Sequence, residues 1–111
     1  MSYFAVIREA GPAWTNGKGT FDQPAVNDHT EFMNVLGNRG LVLFAGPLAG
    51  SEHGRIRVLL IIDAPDEAEI RRRLADDPWA LAQRLVTVSI EPWNIFLGAE
   101  RLAAAQRERL T

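Results

Sequence analysis

Three segments set the terms for any fold of this chain: Tyr3-Phe4-Ala5-Val6-Ile7, Leu41-Val42-Leu43-Phe44-Ala45 and Val58-Leu59-Leu60-Ile61-Ile62. Each is short, β-prone and apolar throughout. A strand in a sheet with one wet face alternates apolar and polar residues, because successive side chains point to opposite faces. These three do not alternate, so both faces of the sheet they build require burial.

The intervening segments supply the rest of the order. Gly11 to Asp22 contains Pro12, Gly17 and Gly19 and reads as a long loop, a feature that in small domains is often functional. Pro24 opens an amphipathic helix that stops at Gly40. Gly46 to Gly54 holds three glycines and a proline and reads as a turn before the third strand. Asp63-Ala64-Pro65-Asp66-Glu67 is a helix start, with proline early and acids in the first turn. That helix continues through Ile70 and Leu74 until Asp77-Pro78 ends it, because a residue before proline avoids helical angles. After a short turn, Leu85 to Ile90 is the last strand, limited by Pro92. Ala99 to Leu110 reads as a C-terminal helix. The order βαββαβ predicts an α+β, ferredoxin-like domain over residues 1–97, with both helices on one face of a four-stranded sheet, and a helical tail over 98–111. Two helices cover one face only. The other face needs a partner, most simply the sheet of a second copy, so a homodimer with two sheets packed as a barrel is expected. The tail helix is the competing cover.

The remaining composition narrows the function classes. A chain that is 47% hydrophobic and 23% charged is globular in character. Its net charge of −2 and dispersed basic residues give no nucleic-acid footprint. Arg71-Arg72-Arg73 sits among Glu67, Glu69, Asp76 and Asp77 and reads as the solvated face of a helix. The absence of cysteine excludes disulfides, thiolate metal sites and cysteine nucleophiles, and fits a cytoplasmic protein. No basic region or cleavage site precedes the first strand, so no signal peptide is expected. The longest apolar run, Val58 to Ile62, is too short to span a bilayer.

The candidates for chemistry are few. Val26, His29, Met33 and Leu36 share one stripe at helical spacing, while Asp28, Glu31, Asn34 and Asn38 share the other side. A histidine on an apolar stripe is either a satisfied core residue or a general acid or base, since its pKa of about 6.5 permits proton exchange near neutrality. Asp77 lies past a helix C-terminus, where the dipole disfavours an anion, and beside Asp76. It suits the cap of a turn opened by Pro78, a role compatible with orienting a catalytic group. His53, between Glu52 and Gly54, reads as exposed and idle. The two histidines lack zinc-motif spacing, and Gly17-Lys18-Gly19 lacks the pattern of a phosphate loop. Trp79 and Trp93 read as packing residues. Trp14, in the long loop, is placed to wall a pocket.

His29 followed by Glu31-Phe32-Met33, then Gly40-Leu41-Val42-Leu43-Phe44-Ala45-Gly46-Pro47, Asp77-Pro78-Trp79 and Glu91-Pro92-Trp93 occur in one order. This ordered set, spanning Tyr3 to about Leu97, resembles the YciI-like (YCII-related) family. The resemblance implies a ferredoxin-like fold, a dimeric α/β barrel, and a cleft in which a histidine, matched by His29, lies close to an aspartate, matched by Asp77. It marks His29 and Asp77 as the catalytic candidates. The candidate substrate-binding positions are Trp14, from the long loop, with Gly46, Pro47 and Trp93. One relative, chloromuconolactone dehalogenase, eliminates chloride from a lactone without a cofactor. The chain departs from the shortest members in its Gly11 to Asp22 loop and its tail helix. Two functions follow: a cofactor-free, metal-free enzyme in which His29 moves a proton on a small organic molecule and Asp77 orients the ring, or a ligand-binding or accessory protein with the same pocket and no turnover. A cofactor-free monooxygenase is a third reading, on fold analogy alone.

Overall fold

The computed structural model describes residues 2–51 and 55–110, the last six of these by backbone alone. The chain runs β1 (Ser2–Ala10), α1 (Val26–Asn38), β2 (Val42–Pro47), β3 (Arg57–Ala64), α2 (Glu67–Leu74), α3 (Pro78–Leu81), β4 (Leu85–Pro92) and α4 (Ala99–Leu110), with a 3-10 turn at Thr20–Asp22. The strands form one antiparallel sheet of four in the order β2-β3-β1-β4. Two crossovers, one through α1 and one through α2 and α3, produce this order, and the fold is ferredoxin-like.

The register decides what faces what. Phe4 lies opposite Ile62, and Val6 lies between Leu60 and Ile90. These side chains meet Leu36 of α1 with Ile70 and Leu74 of α2, so both helices cover the same face and the main core lies between. Alternation sends Ala5, Ile7, Leu59 and Ile61 to the opposite face. A register shift in β2 sets Phe44 opposite Ile61, and Phe44 is 57% exposed. The apolar pattern of the strands is therefore realised on both faces, and α1 and α2 cover one of them.

A second, smaller core of Trp14, Ile56, Trp79 and Leu85 lies under the 11–22 loop. Gly11 makes that packing possible. Its N–H donates to the Arg84 carbonyl at 2.9 Å, and a Cβ at Gly11 would overlap the Gln83 carbonyl.

Several elements differ from the sequence pattern. β1 does not end at Ile7; pairing with β3 continues through Arg8 and Glu9. α1 starts at Val26 because Ala25, with φ of 61°, is in the left-handed region and breaks the turn begun at Pro24. Pro78 begins a one-turn helix rather than an open turn. In α2, Asp66 caps the first turn by accepting from the Glu69 N–H at 2.9 Å. Arg71 pairs with Glu67, and Arg72 and Arg73 with Glu69, so the basic run is self-paired along its own helix. Among the described residues no helix is long and apolar enough to cross a membrane. His53 lies outside the described residues.

Candidate active site

Asp77 is the centre of the site. Its position is fixed by chain geometry: it precedes Pro78, its backbone is extended, and its Oδ1 accepts from the Trp79 N–H at 2.9 Å. The capping role expected from Asp-Pro is met. The same carboxylate does more, because α3 turns Trp79 into the core and Asp77 is fully buried. A buried carboxylate requires compensation. Two side chains provide it.

The first is His29. It extends from the inward stripe of α1, and its Nδ1 lies 2.9 Å from both carboxylate oxygens of Asp77. Its ring stacks on Trp79, with centroids 4.0 Å apart and planes within 6°. Trp79 is itself pinned by donation from Nε1 to the Pro24 carbonyl at 2.8 Å. The imidazole is thus fixed in rotation by a hydrogen bond and in tilt by an indole. It stays 16% exposed.

The second is Arg8, which the sequence reading missed. It occupies the core face of β1 in phase with Phe4 and Val6, and its Nη1 donates to Asp77 Oδ2 at 2.8 Å. It is fully buried, and its Nε and Nη2 find no acceptor on the protein. Keeping a guanidinium there is costly, and the Asp77 charge is the compensation the fold supplies. The signal was present as phase: in a strand whose even positions are core, an arginine at position 8 falls on the core face.

Electrostatics fix the protonation pattern. Burial is the largest single influence on the Asp77 carboxyl and acts to raise its pKa. The His29 hydrogen bond, the Trp79 N–H and the Arg8 and His29 charges together outweigh it, and the carboxyl stays below its ordinary value of 3.8. An ionised carboxylate only accepts hydrogen bonds, so His29 Nδ1 must carry the proton. In neutral His29 the lone pair is then on Nε2, the nitrogen that Asp77 does not hold.

The other candidates separate into three places. Trp14 meets Trp79 edge-on at 5.7 Å and lines, with Pro47, an open recess of about 610 Å³. Gly46 lies opposite Leu59 in the sheet and does not line that recess. Trp93 lines a different depression with Tyr3 and Ile95, at the far end of β1 from Arg8. Its N–H donates to the Tyr3 carbonyl at 2.9 Å. Within one chain, Trp93 is therefore not brought to the His29–Asp77 pair. Among the described residues no group of three or more His, Asp or Glu side chains is placed to hold a metal ion.

The YCII-related domain family model matches residues 2–94. The chain belongs to the YCII-related family. No curated protein matches the sequence. A similar solved structure is 5-chloro-2-hydroxyhydroquinone dehydrochlorinase (TftG) from Burkholderia phenoliruptrix, in complex with 2,5-dihydroxybenzoquinone. It aligns with a TM-score of 0.57 at 17% identity, covering 83% of this chain and 93% of that one. At this identity the likeness supports the fold, and the YCII-related chain's own geometry must carry any argument about chemistry.

Proposed function

We propose that this protein is a cofactor-free enzyme that uses His29 as a general base on a small organic molecule, with Asp77 as the residue that orients it. The observation that carries the reading is the clamped imidazole: Nδ1 tied to a buried carboxylate, ring face stacked on Trp79, Nε2 left as the basic nitrogen. Three donors hold the carboxylate, so His29 is presented in one tautomer and one orientation, a form of preorganisation that raises general-base efficiency.

The reaction class is elimination or a lactone-type proton transfer. In an elimination, Nε2 takes a proton from carbon next to a carbonyl. The C–H electron pair becomes the new C=C bond, and the leaving group on the neighbouring carbon departs with its own pair. Asp77 then stabilises the imidazolium until the proton returns to solvent. The dehydrochlorinase with the similar fold makes chlorinated hydroxyhydroquinones the first compounds to try, and the resemblance to chloromuconolactone dehalogenase adds chlorolactones. A ligand-binding protein without turnover is the second reading, and the Asp77 cap on α3 favours it, since the cap gives that residue a purely structural use.

The proposed assembly is a homodimer. Its support is the sheet face bearing the half-buried Ala5, Ile7 and Leu59 and the exposed Phe44, which α1 and α2 do not cover.

Chloride release from 5-chloro-2-hydroxyhydroquinone and from chlorinated muconolactones tests the chemistry. His29→Ala is expected to lose about 10²–10⁴-fold of any activity while remaining folded. A substrate-independent check is carbethoxylation by diethylpyrocarbonate, read by mass spectrometry: His29 should react at Nε2 in the native protein. A fully active His29→Ala, or a native His29 inert to the reagent, sinks the general-base assignment.

A further inference from the structure

The long loop at 11–22 is not used by the proton-transfer reading, yet it is built with care. Gln23, buried just beyond it, acts as an internal staple. Its Nε2 donates to the Thr15 carbonyl at 2.9 Å and the Lys18 carbonyl at 3.0 Å, and its Oε1 accepts from the Thr15 N–H at 2.9 Å. Ordering a loop this way costs conformational entropy and takes three hydrogen bonds from one side chain. The result is a fixed wall. That wall presents Trp14, Lys18 and Phe21 to the recess of about 610 Å³, and Phe21 is left 86% exposed.

The opposite wall holds Pro47 and Leu48, at the end of β2, and Arg55, just before β3. Arg55 is anchored by donation from Nη2 to the Ala10 and Gly11 carbonyls, which holds its cationic head at the rim. Among the described residues the lining holds two cationic side chains and no carboxylate. The volume lies within the range of small-molecule sites, and an apolar, aromatic lining with a few charged groups is their usual chemistry.

From this we infer that the recess is a binding site for a flat organic anion, an aromatic ring bearing a carboxylate, sulfonate or phenolate. The ring stacks against the exposed Phe21, on the same loop wall as the largely buried Trp14, and the anionic group is held by Lys18 and Arg55. A flat ring matches the aromatic loop wall, and the charge sign matches the two cations. Trp14 separates this site from His29: its ring contacts Trp79, and Trp79 contacts His29. The inference goes beyond the proton-transfer reading and stands without it.

Amide NMR on the full chain tests it with three probes: 2-naphthoate, 2-naphthylmethanol and cyclohexanecarboxylate. Saturable shifts from 2-naphthoate are expected at residues 14–21, 48–49 and 55–56. Its affinity should exceed that of the flat neutral alcohol and of the non-flat anion by up to about fivefold, the upper range of a partly exposed charge contact. Lys18→Met should remove the preference for naphthoate over the alcohol, and Phe21→Ala the preference over cyclohexanecarboxylate. Added salt should weaken naphthoate and leave the alcohol unchanged, which checks the charge without any variant. His29→Ala should bind naphthoate as the wild type does, so this result and the fate of the general base are read separately. Equal wild-type affinities for naphthoate and its alcohol, shifts confined to other parts of the chain, or loop amides that move on protein dilution instead, because a second copy fills the recess, would each overturn the assignment.

Discussion

Arg8 and Glu9 are neighbours in β1, and each makes one ion pair across the sheet or its cover. Arg8 pairs with Asp77 at 2.8 Å, with side chains 1% and 0% exposed. Glu9 pairs with Arg57 at 3.3 Å, with side chains 41% and 55% exposed. One residue of strand separates a charge sealed under two helices from a charge on the open face. The buried pair is embedded in a network with His29 and Trp79, where each member needs the others. The open pair sits in high dielectric and holds nothing else in place. Charged residues at adjacent positions thus carry different meaning, and the sheet's alternation assigns it.

The comparison breaks most readily on the buried side. Removing one member of a buried pair leaves the other unpaired and typically costs about 3–5 kcal/mol. Arg8→Met should therefore destabilise strongly in chemical denaturation, because Asp77 keeps its charge and loses a donor. Arg8→Met combined with Asp77→Asn should recover part of that loss, since the second change removes the orphaned charge. A single Arg8→Met that unfolds at wild-type denaturant concentration would show that the pair contributes nothing and that the network is incidental.

The pH dependence of the buried side has a defined sign. The folded-state pKa of Asp77 is lowered from an ordinary value of 3.8. A depressed carboxyl contributes stability that is fully present above the unfolded value and is lost as pH falls through the folded one. Acid titration of the wild type should accordingly show a loss of stability that begins below about pH 4 and is absent in Asp77→Asn. Equal acid profiles for the two proteins would contradict the direction of that shift.

The open face is tested by assembly. Phe44→Glu places a charge where the single chain already leaves the side chain 57% exposed, so the protomer should fold. Sedimentation is expected to show a wild-type dimer and a Phe44→Glu monomer. A wild type that is monomeric at micromolar concentration removes the homodimer.

Much of this arrangement was legible from the residues. The order of apolar and amphipathic segments specified the sheet and its two crossovers, because period-2 and period-3.6 patterns are local properties. His29 was legible as an inward residue from its stripe, and Asp77 as a cap from the proline that follows it. Arg8 was not, because a polar residue after five apolar ones reads as the end of a strand, and only the register with β3 shows the strand continuing. Gln23 was not legible either. Its value lies in three bonds to loop backbone, and no pattern in sequence records which way a loop folds back on its glutamine. Trp93, grouped with the site by motif order, lies apart from it within one chain. Its proline-tryptophan motif anchors the end of β4 to Tyr3 instead. Motif order records membership of a family, and distance requires the fold.

The smallest expected effect is on the Glu9–Arg57 pair, and it sharpens the comparison best. A double-mutant cycle with Glu9→Gln and Arg57→Gln should give a coupling of about 0.2–1 kcal/mol if the face is wet, falling further in high salt. The pair lies on the same face as Ile7 and Leu59, at the margin of the proposed contact between sheets. If a second copy covers that margin, the local dielectric drops and the coupling grows. Running the cycle in the wild type and again in the Phe44→Glu background distinguishes the two. A coupling that is larger in the wild type and collapses in Phe44→Glu places the pair inside the interface. A coupling that is small and equal in both places it outside, with the dimer contact confined to the apolar centre of the sheet. A large coupling that persists in the Phe44→Glu monomer would defeat the comparison itself, because the open pair would then behave like the buried one with nothing to cover it.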